Sequence, residues 1–215
     1  MIEKGEPWGG PARGSPEAEG RGDDAALARL VEGHPNTRLR FDPDHACDLA
    51  RAIGLTSKSP CATEVSLDAL RTDDGTLAVN MIVLGRPPDR LHWWHRRQAV
   101  EVRVDGREVY RGNASTVVIA NGQYLRGVDV VPRGHPGDGK AEVHIYALQK
   151  TERAQMRQRL ESGAHIPHPR IKITTGKTIE VTWTRPTRTE MDGRRAAATK
   201  QLSVEVRPNV YRLLV

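Results

Sequence analysis

Two histidine pairs, His92/His95 in HWWH and His165/His168 in HIPH, and two cysteines, Cys47 and Cys61, are the side chains whose chemistry would be most distinctive if their spacing supported it. A structural zinc site needs four donors, commonly Cys and His at short loop spacings. Neither histidine pair has a cysteine or acidic partner at such a spacing, so both read as exposed loop histidines. The two cysteines cannot build a disulfide framework and lack metal-ligand spacing, so they read as reduced thiols. No G-x-S-x-G elbow, H-E-x-x-H helix or Walker loop occurs in the sequence. The remaining candidates are carboxylates at turns, and their meaning depends on the elements around them.

The chain has 215 residues, 37% hydrophobic and 28% charged, with a net charge of +6 and a single Phe. Those values suit a globular protein whose core is filled by Val, Ile and Leu. No run approaches the ~20 apolar residues that cross a bilayer, and the start MIEKGEPWGGPARG lacks the apolar core of a signal peptide, so a cytoplasmic protein is expected. The positive balance permits attraction to phosphate groups. Its basic residues are interleaved with 27 acidic ones without a recognition-helix or aromatic-platform pattern, so no clear nucleic-acid signal is present.

Residues 1–22 are rich in Gly, Pro, Glu and Arg and read as a flexible leader. AALARLVEG from Ala25 has helical spacing, TRLRF reads as a strand, and Asp48 to Gly54 again has helical spacing. After Pro60 the pattern turns to β. TLAVNMIVL is one apolar strand, and AVEVRV and REVYRG flank Asp105-Gly106 as a hairpin. STVVIAN reads as a strand covered on both faces. Further strands are expected at AEVHIYAL, RIKITT, IEVTW, LSVEV and VYRLLV, with loops at HPGDGK and PTRTEMDGR and one polar helix at TERAQMRQRLES.

The run ANGQYLRGVDVVPRGHPGDGKAEVHIY resembles the carboxyl-terminal domain signature of the diacylglycerol kinase and sphingosine kinase family, which is NAD kinase-like. ESGAHIPHPRIKI, PTRTEMDG and VEVRPNVYRLLV follow in the order that the family uses. The resemblance implies an α+β fold: a β-sandwich-like carboxyl-terminal domain over 64–215, with a short remnant of the amino-terminal α/β nucleotide-binding domain over 23–63. It also implies ATP and Mg²⁺ as cofactors of any active member.

Three departures stand against that activity. RGDDA at Arg21 to Ala25 sits where the family has GGDGT, and DHACD at Asp44 to Asp48 where it has GTGND-like residues. Glycine lets bare backbone N–H groups approach phosphate, whereas Asp24, Asp44 and His45 put side chains there, two of them negative. The first βαβ portion of the family has no counterpart in the leader. Between TLAVNMIVLG and AVEVRV, the family's long lipid-cavity insertion is replaced by PPDRLHWWHRRQ. Its Trp93 and Trp94 read either as an interfacial anchor or as residues packed across the sheet. Last, Asp192-Gly193 is followed by Arg194 where the family has an acidic general base, and a guanidinium cannot accept a proton.

The resemblance maps Gly22, Asp23 and Asp48 onto nucleotide and Mg²⁺ positions, Asp192 onto the late Asp-Gly turn, and Asp138 onto a structural Mg²⁺ position. The residues themselves favour reading Asp23 and Asp48 as helix N-terminal carboxylates and Asp138 as a plain Asp-Gly turn. The expectation is a catalytically inactive diacylglycerol kinase-like protein, acting as a binding, regulatory or partner module. The alternative is an active lipid kinase with a partner-supplied or rebuilt nucleotide site. A repurposed enzyme and an anionic-surface binder are the outsiders. A lipid or small anionic ligand is the expected partner, together with self-association or a protein partner to cover the edge of TRLRF.

Overall fold

A computed structural model describes residues 8–215. In chain order its elements begin with β1 (Gly10–Pro11), β2 (Ala18–Gly22), α1 (Asp24–Gly33), β3 (Arg38–Pro43) and α2 (Asp48–Ile53). The β-rich part follows with β4 (Thr63–Thr72), β5 (Leu77–Ala78), β6 (Met81–Gly85), a 3₁₀ turn (Pro88–Arg90), β7 (Gln98–Val104), β8 (Arg107–Ala114) and β9 (Thr116–Ala120). It closes with β10 (Tyr124–Leu125), β11 (Val128–Asp129), β12 (Ala141–Tyr146), α3 (Arg153–Leu160), β13 (Ile171–Gly176), β14 (Thr178–Met191) and β15 (Arg194–Leu214).

The amino-terminal part is a parallel βαβ unit followed by a second helix. Asp23 caps α1 by accepting the Ala26 N–H at 2.9 Å, and Leu27, Ala28 and Val31 form the helix's buried stripe. Gly54, at φ 72°, ends α2 in the left-handed conformation. The reading of 1–22 as a flexible leader is corrected over 18–22, because this stretch is β2 and pairs in parallel with β3 from Ala18↔Leu39 to Gly22↔Pro43. The residues before Trp8 lie outside the described ones. Alternating exposed charges at Glu19 and Arg21 hide this strand from a hydrophobicity pattern.

The same pairing removes the ground for expecting an uncovered TRLRF edge. Strand β3 is held by β2 on one side and by β15 on the other, where Arg212 and Leu213 pair in parallel with Arg38 and Leu39. Among the described residues the open edge belongs to β2, five residues long and carrying Glu19 and Arg21. A short, charged edge discourages strand addition.

Strands β4 to β15 pair with one another in antiparallel fashion, and only the end of β15 pairs in parallel with β3. β7 and β8 form the expected hairpin, and β6, β9, β12 and β13 continue the main sheet from β14. Strand β9 is buried along its whole length. Val102, Ile119, Val143, Val181 and Val204 are fully covered and belong to the interior of the β-sandwich-like part. A second cluster, with Leu27, Val31, Leu39, Leu49, Leu67 and Leu213, joins α1 and α2 to the sheet. Burial of such side chains stabilises by about 1.5–3 kcal/mol each.

Two strand readings change. PTRTEM is not a loop but the second half of β14, with register shifts between Thr182 and Thr187 and between Thr187 and Thr189. LSVEV and VYRLLV belong to one strand, β15, interrupted by a bulge between Arg207 and Tyr211 where Asn209 takes φ 53°. Conversely, TLAVNMIVL divides into β5 and β6. No helix among the described residues is long and apolar enough to cross a membrane.

Candidate functional site

The parallel strands β2 and β3 each run directly into a helix, and α1 and α2 begin at the ends of those strands. In open α/β sheets this crevice receives ligands, and unpaired amides at helix N-termini meet anions there. Here the protein's own carboxylates take those amides. Asp23 caps α1. Asp24, 3% exposed, accepts the Leu49 N–H of α2 through Oδ1 at 2.9 Å and the Cys47 thiol at 3.1 Å. Its Oδ2 accepts the Asn80 side-chain amide at 2.7 Å. Burial pushes the Cys47 thiol far up, so it stays protonated and is not a nucleophile.

Asn80 leads to the turn between β14 and β15. Asp192, 5% exposed, accepts the N–H groups of Val79, Asn80 and Met81 at 2.8, 2.9 and 3.0 Å. Burial pushes its carboxyl up, against the three amide bonds. Gly122 belongs here for steric reasons, since a Cβ at that position would lie 2.2 Å from Asn80 Oδ1. Next to this turn, Arg194 donates to Asp23 at 2.7 Å. Partial burial works against the Asp23 charge, but Arg194 and the Ala26 N–H outweigh it and hold the carboxyl below its ordinary value.

Asp48 turns away from its own helix. It accepts the backbone N–H of Arg126 and, at 2.8 Å, that of Gly127, in the turn between β10 and β11. Burial raises its carboxyl against those bonds. The Arg126 guanidinium holds Asp89 in a two-pronged contact at 2.8 and 2.9 Å and also pairs with Glu190, which is 3% exposed. Burial works against its charge, but these two partners outweigh burial and keep it protonated.

Asp24 gives this site a testable electrostatic signature. Burial first, and repulsion from Asp192 next, push its carboxyl up to about 7 from an ordinary 3.8. In the window between those values the unfolded chain has released a proton that the folded chain retains. Rising pH then favours unfolding. Stability should fall as pH rises from about 4 to about 7, and Asp24→Asn should flatten that slope in urea unfolding followed across the window. A variant with the full wild-type slope would place the proton elsewhere.

Asp138 lies outside this crevice. Its Oδ1 accepts the Lys140 N–H at 3.0 Å, an Asp-Gly turn bond, while neighbouring Asp68 uses both oxygens for the N–H groups of Gly139 and Asn209 at 2.7 and 2.9 Å. Among the described residues no group of three or more His, Cys, Asp or Glu is arranged to hold a metal ion.

The histidine reading is corrected at His165, which is 1% exposed, with Nε2 lying 3.1 Å from the Val130 carbonyl. Burial lowers it to about 4. Trp93 and Trp94 do not pack across the sheet and are 64% and 55% exposed. Cys47 and Cys61 are both free.

The amides at the starts of α1 and α2 therefore already have partners within the protein. Asp24 is buried at the start of α1, and its carboxyl group already accepts the Leu49 N–H of α2. Arg126 and Arg194 are both committed to carboxylates. Sequence reasoning singled out Asp23, Asp48, Asp192 and Arg194, and the structure brings Asp23, Asp192 and Arg194 close, with Asp48 linked through Asp24. It missed Asn80, Arg126 and Glu190. Each acts through a partner 37 or more residues away in sequence, so no local pattern marks it.

A sequence profile described as the YegS C-terminal NAD kinase beta sandwich-like domain matches residues 88–215. The chain belongs to this family. Its fold agrees with that of a diacylglycerol kinase from Bacillus anthracis str. Sterne, at TM-score 0.70 and 16% identity over 91% of this chain and 75% of that one. An NAD kinase from Archaeoglobus fulgidus, solved with ATP, matches at TM-score 0.52 and 15% identity over 92% and 76% of the two chains. Yeast NADH kinase matches at 0.52 and 12% over 92% and 60%. At these identities the likeness shows the fold. No curated protein matches the chain in sequence. Within this lipid kinase and NAD kinase-like family, the α+β architecture places α1 and α2 beside the β-sandwich-like part.

Proposed function

We propose that this member of the family is a non-catalytic binding or regulatory module of the cytoplasm that uses the lipid-kinase fold without ATP-dependent phosphotransfer. The observation that carries the reading is the Asp24 carboxyl group, which accepts the Leu49 N–H and so occupies an amide that a bound phosphate would need. Phosphoryl transfer depends on positioning and charge stabilisation around the transferred group, and a carboxyl group that occupies the cradle and is half ionised near pH 7 opposes both. The Asp23–Arg194 pair supports the same reading, since the position of the expected base is a cation already neutralised by its neighbour.

Calorimetric titration with ATP and Mg²⁺ should give no saturable heat, and a radiolabelled assay with diacylglycerol or sphingosine should give no phospholipid. Arg194→Glu should not restore turnover. A positioned base contributes only about 10²–10⁴-fold, and the new carboxylate would face Asp23 while Asp24 still fills the cradle. Saturable ATP binding with lipid phosphorylation by the wild type would replace this reading with an active kinase.

A further inference from the structure

We propose that the loop from Leu91 to Arg97, together with the turn that precedes α3, docks on the surface of an anionic lipid bilayer. Trp93 and Trp94 are the only large hydrophobic side chains exposed among the described residues. They touch edge to face, with ring centroids 5.6 Å apart at 87°. One face of Trp94 is stacked on His92 at 4.4 Å and 2°. An indole joins apolar bulk to a polar N–H and sits well at the level of lipid headgroups.

The fold holds this loop rigidly from behind. Arg153, 1% exposed, donates through Nη1 to the carbonyls of His92 and His95 at 2.9 and 2.6 Å, and Arg157 donates to that of Leu91. Within the loop, the His92 N–H donates to His95 Nδ1 at 3.0 Å, and the His95 N–H to the His92 carbonyl at 3.2 Å. A buried arginine is thus spent on presenting two indoles to solvent, an arrangement that gives the isolated chain no burial in return.

Charge supplies the occupant. Beside the indoles runs a groove of about 590 Å³ lined by His95, Arg96, Arg97, Lys150 and Arg153, with no carboxylate in its wall. Among the described residues, Arg86, Arg96, Arg97, Lys150, Arg153 and Arg157 form no ion pair, and nearby Glu152 is tied to Arg170. Most other arginines of the chain pair with acids. Burial, then the charges of Arg86, His92, Arg153 and Arg157, lower the His95 pKa, which reports a cluster of one sign. Arg96, Arg97 and Lys150, exposed and unpaired beside the indoles, match a surface of lipid phosphates. Nucleic acid is disfavoured because stacking needs free ring faces, and one face of Trp94 is already covered by His92 while Trp93 meets it edge on.

Sedimentation of the full chain with vesicles tests this, using phosphatidylcholine alone and phosphatidylcholine mixed with phosphatidylglycerol. Binding should be at least about tenfold tighter to the mixed vesicles and should weaken with added salt. Trp93→Ala/Trp94→Ala should lose at least about tenfold with its melting temperature unchanged. Arg96→Ala/Lys150→Ala should abolish the preference for the anionic vesicles while leaving residual binding to both. Equal binding by the tryptophan variant, or equal binding to the two vesicle types, would overturn the proposal. So would a wild-type dimer that the tryptophan variant dissolves, which assigns the patch to a second copy. Preference for a single-stranded oligonucleotide over the mixed vesicles would assign it to nucleic acid. None of these outcomes depends on whether ATP binds.

Discussion

Asp192→Ala should destabilise the protein by at least about 3 kcal/mol, since each buried donor left without a partner costs about 1–3 kcal/mol and three amides are orphaned together. In a chain of this size that lowers the melting temperature by about 6–12 °C, a large part of a typical stability of about 5–15 kcal/mol. Backbone strain adds to the effect, because Asp192 takes φ 47°, a conformation that Asp and Asn adopt more readily than Ala. Asp192→Asn separates the contributions. Oδ1 accepts from Asn80 and Met81, and Oδ2 from Val79, so an Asn oxygen in the Oδ1 place keeps two bonds and sets its NH₂ against the third donor. Urea unfolding should rank wild type above Asn and Asn above Ala. Equal stability of all three would mean that these amides find other partners. The turn that the family resemblance marks for chemistry is here a bracket that fixes the break between β5 and β6.

Arg126→Ala should be the second large loss. It removes the partner of Glu190, 3% exposed, whose next nearest cation is Arg188 at 3.9 Å. Stranding a buried charge costs about 3–5 kcal/mol, and because a quarter of the Arg126 side chain is exposed the lower end is expected. The guanidinium also ties the Pro88–Arg90 turn to β14 through Asp89. The double variant Arg126→Ala/Glu190→Gln should recover part of the loss, since the uncompensated charge is gone. A double-mutant cycle reads that coupling directly. A single-variant loss below about 1 kcal/mol would show that solvent reaches Glu190 and screens it.

Asp192, like Asp23 and Asp48, stands at a position for which the family resemblance invites a catalytic reading. Asp192 holds three amides, Asp48 holds two, and Asp23 holds one amide and one guanidinium. In each case the geometry joins segments that are distant in the chain. The carboxylates that line the crevice act as fasteners between the βαβ unit, α2 and the long β14–β15 pair.

Local patterns by themselves determined a good deal. The alternation of AVEVRV and the Asp-Gly turn after it specify the β7–β8 hairpin, because side-chain period and turn conformation are both local properties. The apolar run of STVVIA specifies a strand buried on both faces, and the stripe of Leu27 and Val31 specifies α1. Only the tertiary structure decided the rest. Strand β2 has no hydrophobic pattern because its order comes from parallel pairing with β3, and the two halves of β15 join through a bulge whose Asn209 N–H is held by Asp68, 141 residues away. Asp24 became the central group of the site because the fold sets it against Leu49, Cys47 and Asn80, and Trp93 and Trp94 face solvent because Arg153 holds their loop from behind. Periodicity reports which face of an element is apolar, whereas these contacts depend on which distant amide or carbonyl the packed sheet brings within about 3 Å.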